Sequence, residues 1–462
     1  MASMVFVGCV SGEKALEEPD PVTQELRERT LELGLAPMTR PELPRAQVEL
    51  GRMLFFDPIM SGNKDFACSG CHRMDRATVD GLSLPVGTKG VTDEFGERRP
   101  GVRLNFVPRN VPDLFNRGHP EVRSMFWDKR MEQLDDGRIV LYDFQDAYAP
   151  NNVLRSMDEI APLEGRLENM MAAQAMMPVL NRDELRGAPG DEAIDGTPNE
   201  LALTPDADLE SVWVAAMSRY RAIPEYVELF ERAYPGTSID SMDFTHAANA
   251  ISAFVVDSFT LTESPWDRFL RGDDSALNAS QKRGAMLFFG RAQCSRCHSG
   301  DLLSDQQFYN LAVVPLGRGP DPYAFVDRGA AHRSHADRTM DFSFRTPPLR
   351  NVELTAPYMH NGTYTTLEAV IRHKNDALSS LWSYDEGNLT TMFARQLHRS
   401  QEVLERVEST VEPLFSTPLG LSDDDIDALV SFLRALTDPR ARDLTDLIPE
   451  SVPSGLRPIV LE

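Results

Sequence analysis

The 462-residue sequence predicts an all-α protein of two related units with long loops. Three observations carry that expectation. The chain is longer than one hydrophobic core usually serves, helix signals outnumber β alternation, and one apolar phrase occurs twice. Gly51-Arg-Met53-Leu54-Phe55-Phe56 returns as Gly284-Ala-Met286-Leu287-Phe288-Phe289, each time ahead of a cysteine pair, so the same helix end feeds two sites.

Taken in chain order, residues 1–20 read as a tail. Its Val5-Phe6-Val7-Gly8-Cys9 has the look of a lipoprotein signal remnant with a lipid anchor at Cys9, although the basic and apolar stretches expected before it are missing. Residues 21–265 form the N-terminal unit. The segment from about 255 to 280, with Pro265 and Arg271-Gly-Asp-Asp, joins it to the C-terminal unit, 266–445, and 446–462 is a second tail. Stretches 135–165, 186–210 and 315–340, rich in Asp, Gly, Pro and Arg without periodicity, read as long loops. Ser422 with Asp425, followed by Ile426, Leu429, Val430 and Leu433, marks a capped helix with one apolar stripe that ends before Pro439.

Composition narrows the function classes. The chain is 42% hydrophobic and has no run of about 18 apolar residues, which predicts a globular protein without a membrane-spanning helix. With 47 basic and 71 acidic residues the formal charge is −24, which excludes nucleic acid as a natural partner. Of five cysteines, four fall into two close pairs, which is not a disulfide framework.

Each pair is followed at once by histidine: Cys68-Ser-Gly-Cys71-His72 and Cys294-Ser-Arg-Cys297-His298. This is the c-type haem attachment signature. Two thiols bond to the two vinyl groups on one porphyrin edge, and the adjacent imidazole then sits beneath the iron. A four-cysteine zinc site pairs its halves about 15–20 residues apart and needs no histidine after each half. Here Cys71 and Cys294 stand 223 positions apart, so two covalent haems in two cytochrome c-like domains are the better reading. Haem attachment of this kind takes place outside the cytoplasm, which predicts a periplasmic protein.

Further motifs give a family resemblance. Leu50 to Asp57, Arg109-Asn110-Val-Pro112, Phe126-Trp127-Asp128-Lys-Arg130, Phe344-Arg345-Thr-Pro347-Pro-Leu349-Arg350-Asn351 and Thr355-Ala-Pro357-Tyr-Met-His360-Asn-Gly362 together resemble the bacterial di-haem cytochrome c peroxidases and their MauG-type relatives, over roughly residues 20–440. The resemblance implies a peroxide-binding haem on His72 and an electron-transfer haem on His298, both near the domain interface. It implies reduction of hydrogen peroxide to water with electrons from a small cytochrome or cupredoxin. The alternative is MauG-like oxidation of residues in a partner protein, and a pure electron carrier is a third reading.

The same resemblance places site residues. Gln174-Ala-Met-Met-Pro178 through Glu184 matches the family's distal segment, with Gln174 and Pro178 lining the pocket and Glu184 as acid/base. Trp127 is implied to lie between the haems and carry charge; from the residue alone, a tryptophan is more often packing. Trp127 and Gln174 are 47 positions apart, farther than in the family, which marks 135–165 as an insertion. No histidine occurs between Arg73 and Gly118, so no side chain of the kind that blocks the first iron in some relatives is expected. For the second iron, the family's spacing from Pro357 lands on Lys374, beside His373. A neutral imidazole binds iron readily, whereas an amine with a free pKa of about 10.4 must first lose a proton, so His373 is favoured over Lys374, and Met359 and Met392 follow. The resemblance also implies one calcium ion at Asn110, Thr355 and Pro357, and a contact of His360 with a haem propionate. His119, His246, His332, His335 and His398 carry no assignment.

Overall fold

The computed structural model describes residues 20–94, 98–142, 154–156, 165–320, 325–333 and 338–459. Cys9 and His335 lie outside them. Among the described residues no helix is long and apolar enough to cross a membrane.

The repeated phrase is a repeated packing device. Gly51 in the helix Arg45–Phe56 meets the helix Phe244–Phe259 so closely that a Cβ there would lie 1.8 Å from the Ala250 carbonyl oxygen. Gly284 in the helix Ala279–Phe288 meets the helix Asp423–Ala435 in the same way, 1.9 Å from the Ala428 oxygen. That approach lets the following aromatic pair interlock with one ring from the partner helix. Phe55 lies 5.2 Å from Phe254 and Phe288 lies 5.3 Å from Phe432, centroid to centroid. Burying each such ring contributes about 1.5–3 kcal/mol. The partner helices are well started: Asp243 with His246 and Ser422 with Asp425 form capping boxes, the second as the sequence predicts. His246 thereby acquires a structural role.

Two cores follow from these helix pairs, but the chain ends cross over. Leu26, in the helix Pro21–Glu32, belongs to the core of Trp266, Phe288 and Phe432, and Arg27 pairs with Asp274. Conversely Ala441, Leu444 and Val452 belong to the core of Phe55 and Phe254, and Arg52 donates to the Leu447 carbonyl at 2.7 Å. The joining segment is mostly helical, Phe244–Phe259 being followed by Pro265–Leu270, whose Trp266 and Phe269 are buried in the second core.

The all-α expectation needs correcting to mainly helical. Short antiparallel strands occur, the largest set among the described residues being a four-stranded sheet of Ser124–Met125, Met131–Gln133, Ile139–Tyr142 and Leu154–Ser156. Two of these strands fall in the stretch 135–165, expected as a loop; residues 143–153 and 157–164 lie outside the described residues. The signal was Asp136-Gly137 ahead of Ile139-Val-Leu: Gly137 takes φ +87° and Leu134 N–H donates to Arg138 O, closing a hairpin. Stretch 186–210 includes the short helix Glu200–Leu203, capped by Asn199, and 315–340 includes the 3-10 turn Ala330–Arg333.

Candidate active site

The first cysteine pair occupies a one-turn helix, Cys68–Cys71, that delivers His72 to the wall of a cavity of about 180 Å³. His72 Nδ1 faces the Thr78 carbonyl at 3.0 Å. Burial holds the imidazole down to about 4, against the opposing pull of that carbonyl, so it is neutral, with Nε2 available to a metal. At the second pair His298 Nδ1 faces Leu303 O at 2.9 Å, and burial, with Lys374 nearby, likewise holds this imidazole down to about 4. The two phenylalanine–histidine contacts match as well, Phe55–His72 and Phe288–His298 both at 6.4 Å. None of the four cysteines is in a disulfide.

The residues expected around the first site come together. Glu184, Gln174, Pro178 and Trp127 line the same cavity as Cys68, Cys71 and His72. Asn169 caps the helix Met170–Ala175 that carries Gln174, Pro178 opens a 3-10 turn, and Asn181 caps the π-helical turn Arg182–Arg186 that carries Glu184. Such turns recur at functional sites because they re-aim one side chain. Gln174 Oε1 is buried with no protein partner among the described residues. Asn181 Nδ2 donates to Glu184 Oε1 at 2.9 Å, leaving Oε2 for a proton. Burial raises the Glu184 carboxyl to about 7, Arg130 opposing and Asp183 assisting.

Around these groups the wall suits a porphyrin: apolar faces come from Phe55, Met60, Phe66, Met171 and Val255, and the buried guanidinium groups of Arg117 and Arg345 would complement propionate charge. Arg345 is pulled down to about 9 by burial and by the neighbouring Arg117, with Asp113 and Asp128 opposing. Sequence reasoning named the motifs holding Arg109, Asp128 and Arg345 without giving these residues a task. Arg109 lies between Asp128 at 2.6 Å and Asp327 at 2.7 Å, all buried, a bridge between segments about 200 residues apart. Burial opposes the charge, yet the two carboxylates hold Arg109 above its ordinary value.

Trp127 is clamped from both sides: its Nε1 donates to Asn110 O at 2.8 Å, and its carbonyl accepts from Arg345 N at 2.8 Å. Asn110 N donates to His360 O at 2.7 Å, joining it to the loop that carries Thr355 and Pro357. His360 is buried and stacks on Phe344 with centroids 3.4 Å apart.

His373 does not fit the ligand role expected for it. Its Nε2 lies 2.7 Å from Leu311 O and its Nδ1 2.8 Å from Tyr364 Oη, so both nitrogens are engaged within the protein. Lys374, one residue on, has its ammonium near enough to His298 and Cys297 to influence both. Met392 packs with Leu84, Leu316 and Phe393 instead.

Residues 45–275 match the family model of the di-haem cytochrome c peroxidases. The chain is 27% identical over 425 residues to the cytochrome-c peroxidase IdrP2 of Denitromonas iodatirespirans, covering 88% of this chain and 85% of that one. It is 27% identical over 340 residues to the methylamine utilization protein MauG of Methylorubrum extorquens, covering 73% and 70%. Among solved structures, a MauG-like protein associated with microbial copper homeostasis superposes with a TM-score of 0.57 at 23% identity, over 90% of this chain and 97% of that chain. The diheme peroxidase BthA from Burkholderia thailandensis gives 0.55 at 21%, over 88% and 92%.

Proposed function

The chain belongs to the di-haem cytochrome c peroxidase family, and from that membership we propose that it reduces hydrogen peroxide to water in the cavity beside His72, with electrons arriving through the site of His298. It is a peroxidase-type oxidoreductase with two haems, in keeping with its named relatives. Covalent attachment at Cys68 with Cys71 and at Cys294 with Cys297, and axial ligation by His72 and His298, are the roles these residues suit. The observation that carries the reading is the convergence of Glu184, Gln174, Pro178 and Trp127 on the cavity of Cys68, Cys71 and His72.

Bound haem supplies the redox chemistry on peroxide. The chain's own groups do the rest. Near neutral pH Glu184 exists in both protonation states, so its Oε2 can take a proton from one peroxide oxygen and return it to the other. Asn181 fixes the opposite oxygen, Gln174 and Pro178 shape the space, and the apolar wall excludes water. Trp127, clamped between Asn110 and Arg345, is the side chain suited to pass charge toward the second site. There Lys374, rather than His373, is the further residue that would hold the second haem. Residues 21–265 and 266–445, apart from the crossed segments 21–32 and 441–445, are the two cytochrome c-like domains, and Asn110, Thr355 and Pro357 would supply oxygens to a calcium ion. Catalysis takes place in the periplasm, with a small cytochrome or cupredoxin as donor.

The second reading, peroxide-driven oxidation of a partner protein as in MauG, is favoured by the lack of histidine between Arg73 and Gly118. Protein matured in a host competent for c-type cytochromes decides. We expect two haems per chain by pyridine haemochrome and rapid peroxide consumption with a reduced small cytochrome. One pigment per chain, or none, overturns the haem assignment. A long-lived oxidised state that no small donor quenches replaces the peroxidase reading by the MauG-like one.

A further inference from the structure

Behind the wall of the first cavity lies a polar group that the peroxidase chemistry above does not use. Phe55 and Met60 line that cavity, and Asp57 sits between them in sequence, fully buried at the end of the helix Arg45–Phe56. Among the described residues Asp57 forms no ion pair. Its oxygens are held by hydrogen bonds alone: Oδ1 accepts from Ile59 N at 2.9 Å and Ser454 Oγ at 2.7 Å, and Oδ2 from Ser454 N at 3.2 Å and the Tyr226 hydroxyl at 2.8 Å. Tyr226 is fully buried and packs edge-on against Tyr220, ring centroids 4.9 Å apart. Tyr220 is equally buried, its hydroxyl has no partner among the described residues, and it lies close enough to feel a charge on Cys68.

A phenol is hard to oxidise unless its proton leaves with the electron, because a buried phenol cation has nothing to solvate it. Tyr226 has a proton acceptor already in place. The Tyr220 ring, packed against Tyr226 and close enough to Cys68 to feel its charge, offers a path for the electron; with no acceptor for its own proton among the described residues, it does not hold the radical.

We propose that Tyr220, Tyr226 and Asp57 form a third redox site, a sink for an oxidising equivalent that hydrogen peroxide leaves at the first haem when no electron donor arrives. The inference rests on the peroxidase reading. In the step, one electron leaves Tyr226 by way of the Tyr220 ring and reduces the haem centre by one equivalent. The Tyr226 O–H bond breaks, its proton passes to Asp57 Oδ2, and a neutral phenoxyl radical remains beside a protonated carboxyl. A later electron from the donor and the proton held by Asp57 restore the phenol. The sink keeps the stranded equivalent off the porphyrin.

The test is freeze-quench electron paramagnetic resonance of the haem-loaded protein after hydrogen peroxide without donor, in the wild type, Tyr226→Phe, Tyr220→Phe and Asp57→Asn. Haem content and peroxide consumption with a reduced small cytochrome are measured on the same samples, so a wild type that fails to turn over condemns the functional reading separately. In protein that does turn over, we expect a tyrosyl signal in the wild type, its loss in Tyr226→Phe and Asp57→Asn, and its reduction in Tyr220→Phe. Soret bleaching per peroxide added should be faster in all three variants. Tyr220→Phe removes only a hydroxyl without a partner, so it keeps the test open if Tyr226→Phe does not fold. No tyrosyl signal in a competent wild type, or a signal and bleaching rate unchanged in Tyr226→Phe or Tyr220→Phe, overturns the proposal.

Discussion

Glu184→Gln separates what Glu184 does for catalysis from what it does to stability. The substitution keeps the side chain's size and an Oε1 acceptor for Asn181, and removes the ionisable proton. Burial raises this carboxyl from 4.5 to about 7. Below pH 4.5 the group is protonated in folded and unfolded chains alike and has no effect on their balance. Between 4.5 and 7 the unfolded chain gives up the proton first, so the native state loses stability as pH rises, and above 7 the loss is complete. That span, at about 1.4 kcal/mol per pH unit, amounts to about 3.5 kcal/mol. Glu184→Gln should therefore be more stable than wild type above pH 7 by up to that amount, and no more stable below pH 4.5. In the opposite direction, loss of a proton shuttle should slow the reaction with peroxide by about 10²–10⁴-fold, or about 3–5 kcal/mol of barrier. Urea denaturation of the haem-loaded protein across this pH range and stopped-flow mixing with peroxide read the two effects. A stability difference that does not change with pH refutes the burial argument, and an unchanged rate removes Glu184 from the proton path.

Other expectations follow from the same geometry. Gly51→Ala and Gly284→Ala each force a methyl group onto a neighbouring helix backbone, and thermal denaturation should show each destabilised by about 1–3 kcal/mol or more; a neutral result for either shows that those helices can separate freely. Lys374→Ala should turn the second haem from low-spin to high-spin in its absorption and paramagnetic resonance spectra while His373→Gln leaves it low-spin; the reverse outcome restores His373 as the ligand. Arg109→Leu strands Asp128 and Asp327 without their cation and should lower stability by about 3–5 kcal/mol in urea titrations; a loss below 1 kcal/mol contradicts a buried bridge.

Local chemistry was legible in the sequence and long-range geometry was not. Two thiols and an imidazole must be adjacent to hold one porphyrin, so the motifs at Cys68 and Cys294 are contiguous text. The glycines of the repeated phrase could be seen to recur, but that they admit the Ala250 and Ala428 carbonyls needs the partner helices. Gln174, Pro178 and Glu184 lie within one short stretch and travel to the cavity together. At His373 and Lys374 the family's spacing lands on the lysine, and the preference of iron for imidazole moves the expectation one residue off. One residue along a helix turns a side chain by about 100°, and the intrinsic preference of iron for imidazole could not reveal that Leu311 and Tyr364 already occupy both nitrogens. The hairpin at 131–142 escaped notice because Asp135-Asp136-Gly137-Arg138 reads as loop until the strands on either side are paired.

The crossing of the chain ends bears on how the two sites work together. Electron passage between them depends on a fixed separation, and a single joining segment would leave two rigid units free to hinge. Here the helix Pro21–Glu32 is packed into the second core, and Leu444 and Val452 are packed into the first, so each core takes in a segment distant in sequence from its main helix pair. The Arg109–Asp327 bridge and the clamp on Trp127 add two further links between segments about 200 residues apart. A hinge motion would have to withdraw buried apolar side chains from both cores at once, each at about 1.5–3 kcal/mol. The same tie reaches the tyrosine pair, because Ser454, on the returning C-terminal segment, holds the Asp57 carboxylate that receives the Tyr226 hydroxyl. A chain cut before Ser454 should therefore loosen the first core and disturb the Asp57–Tyr226 bond while leaving the Cys294–His298 turn intact.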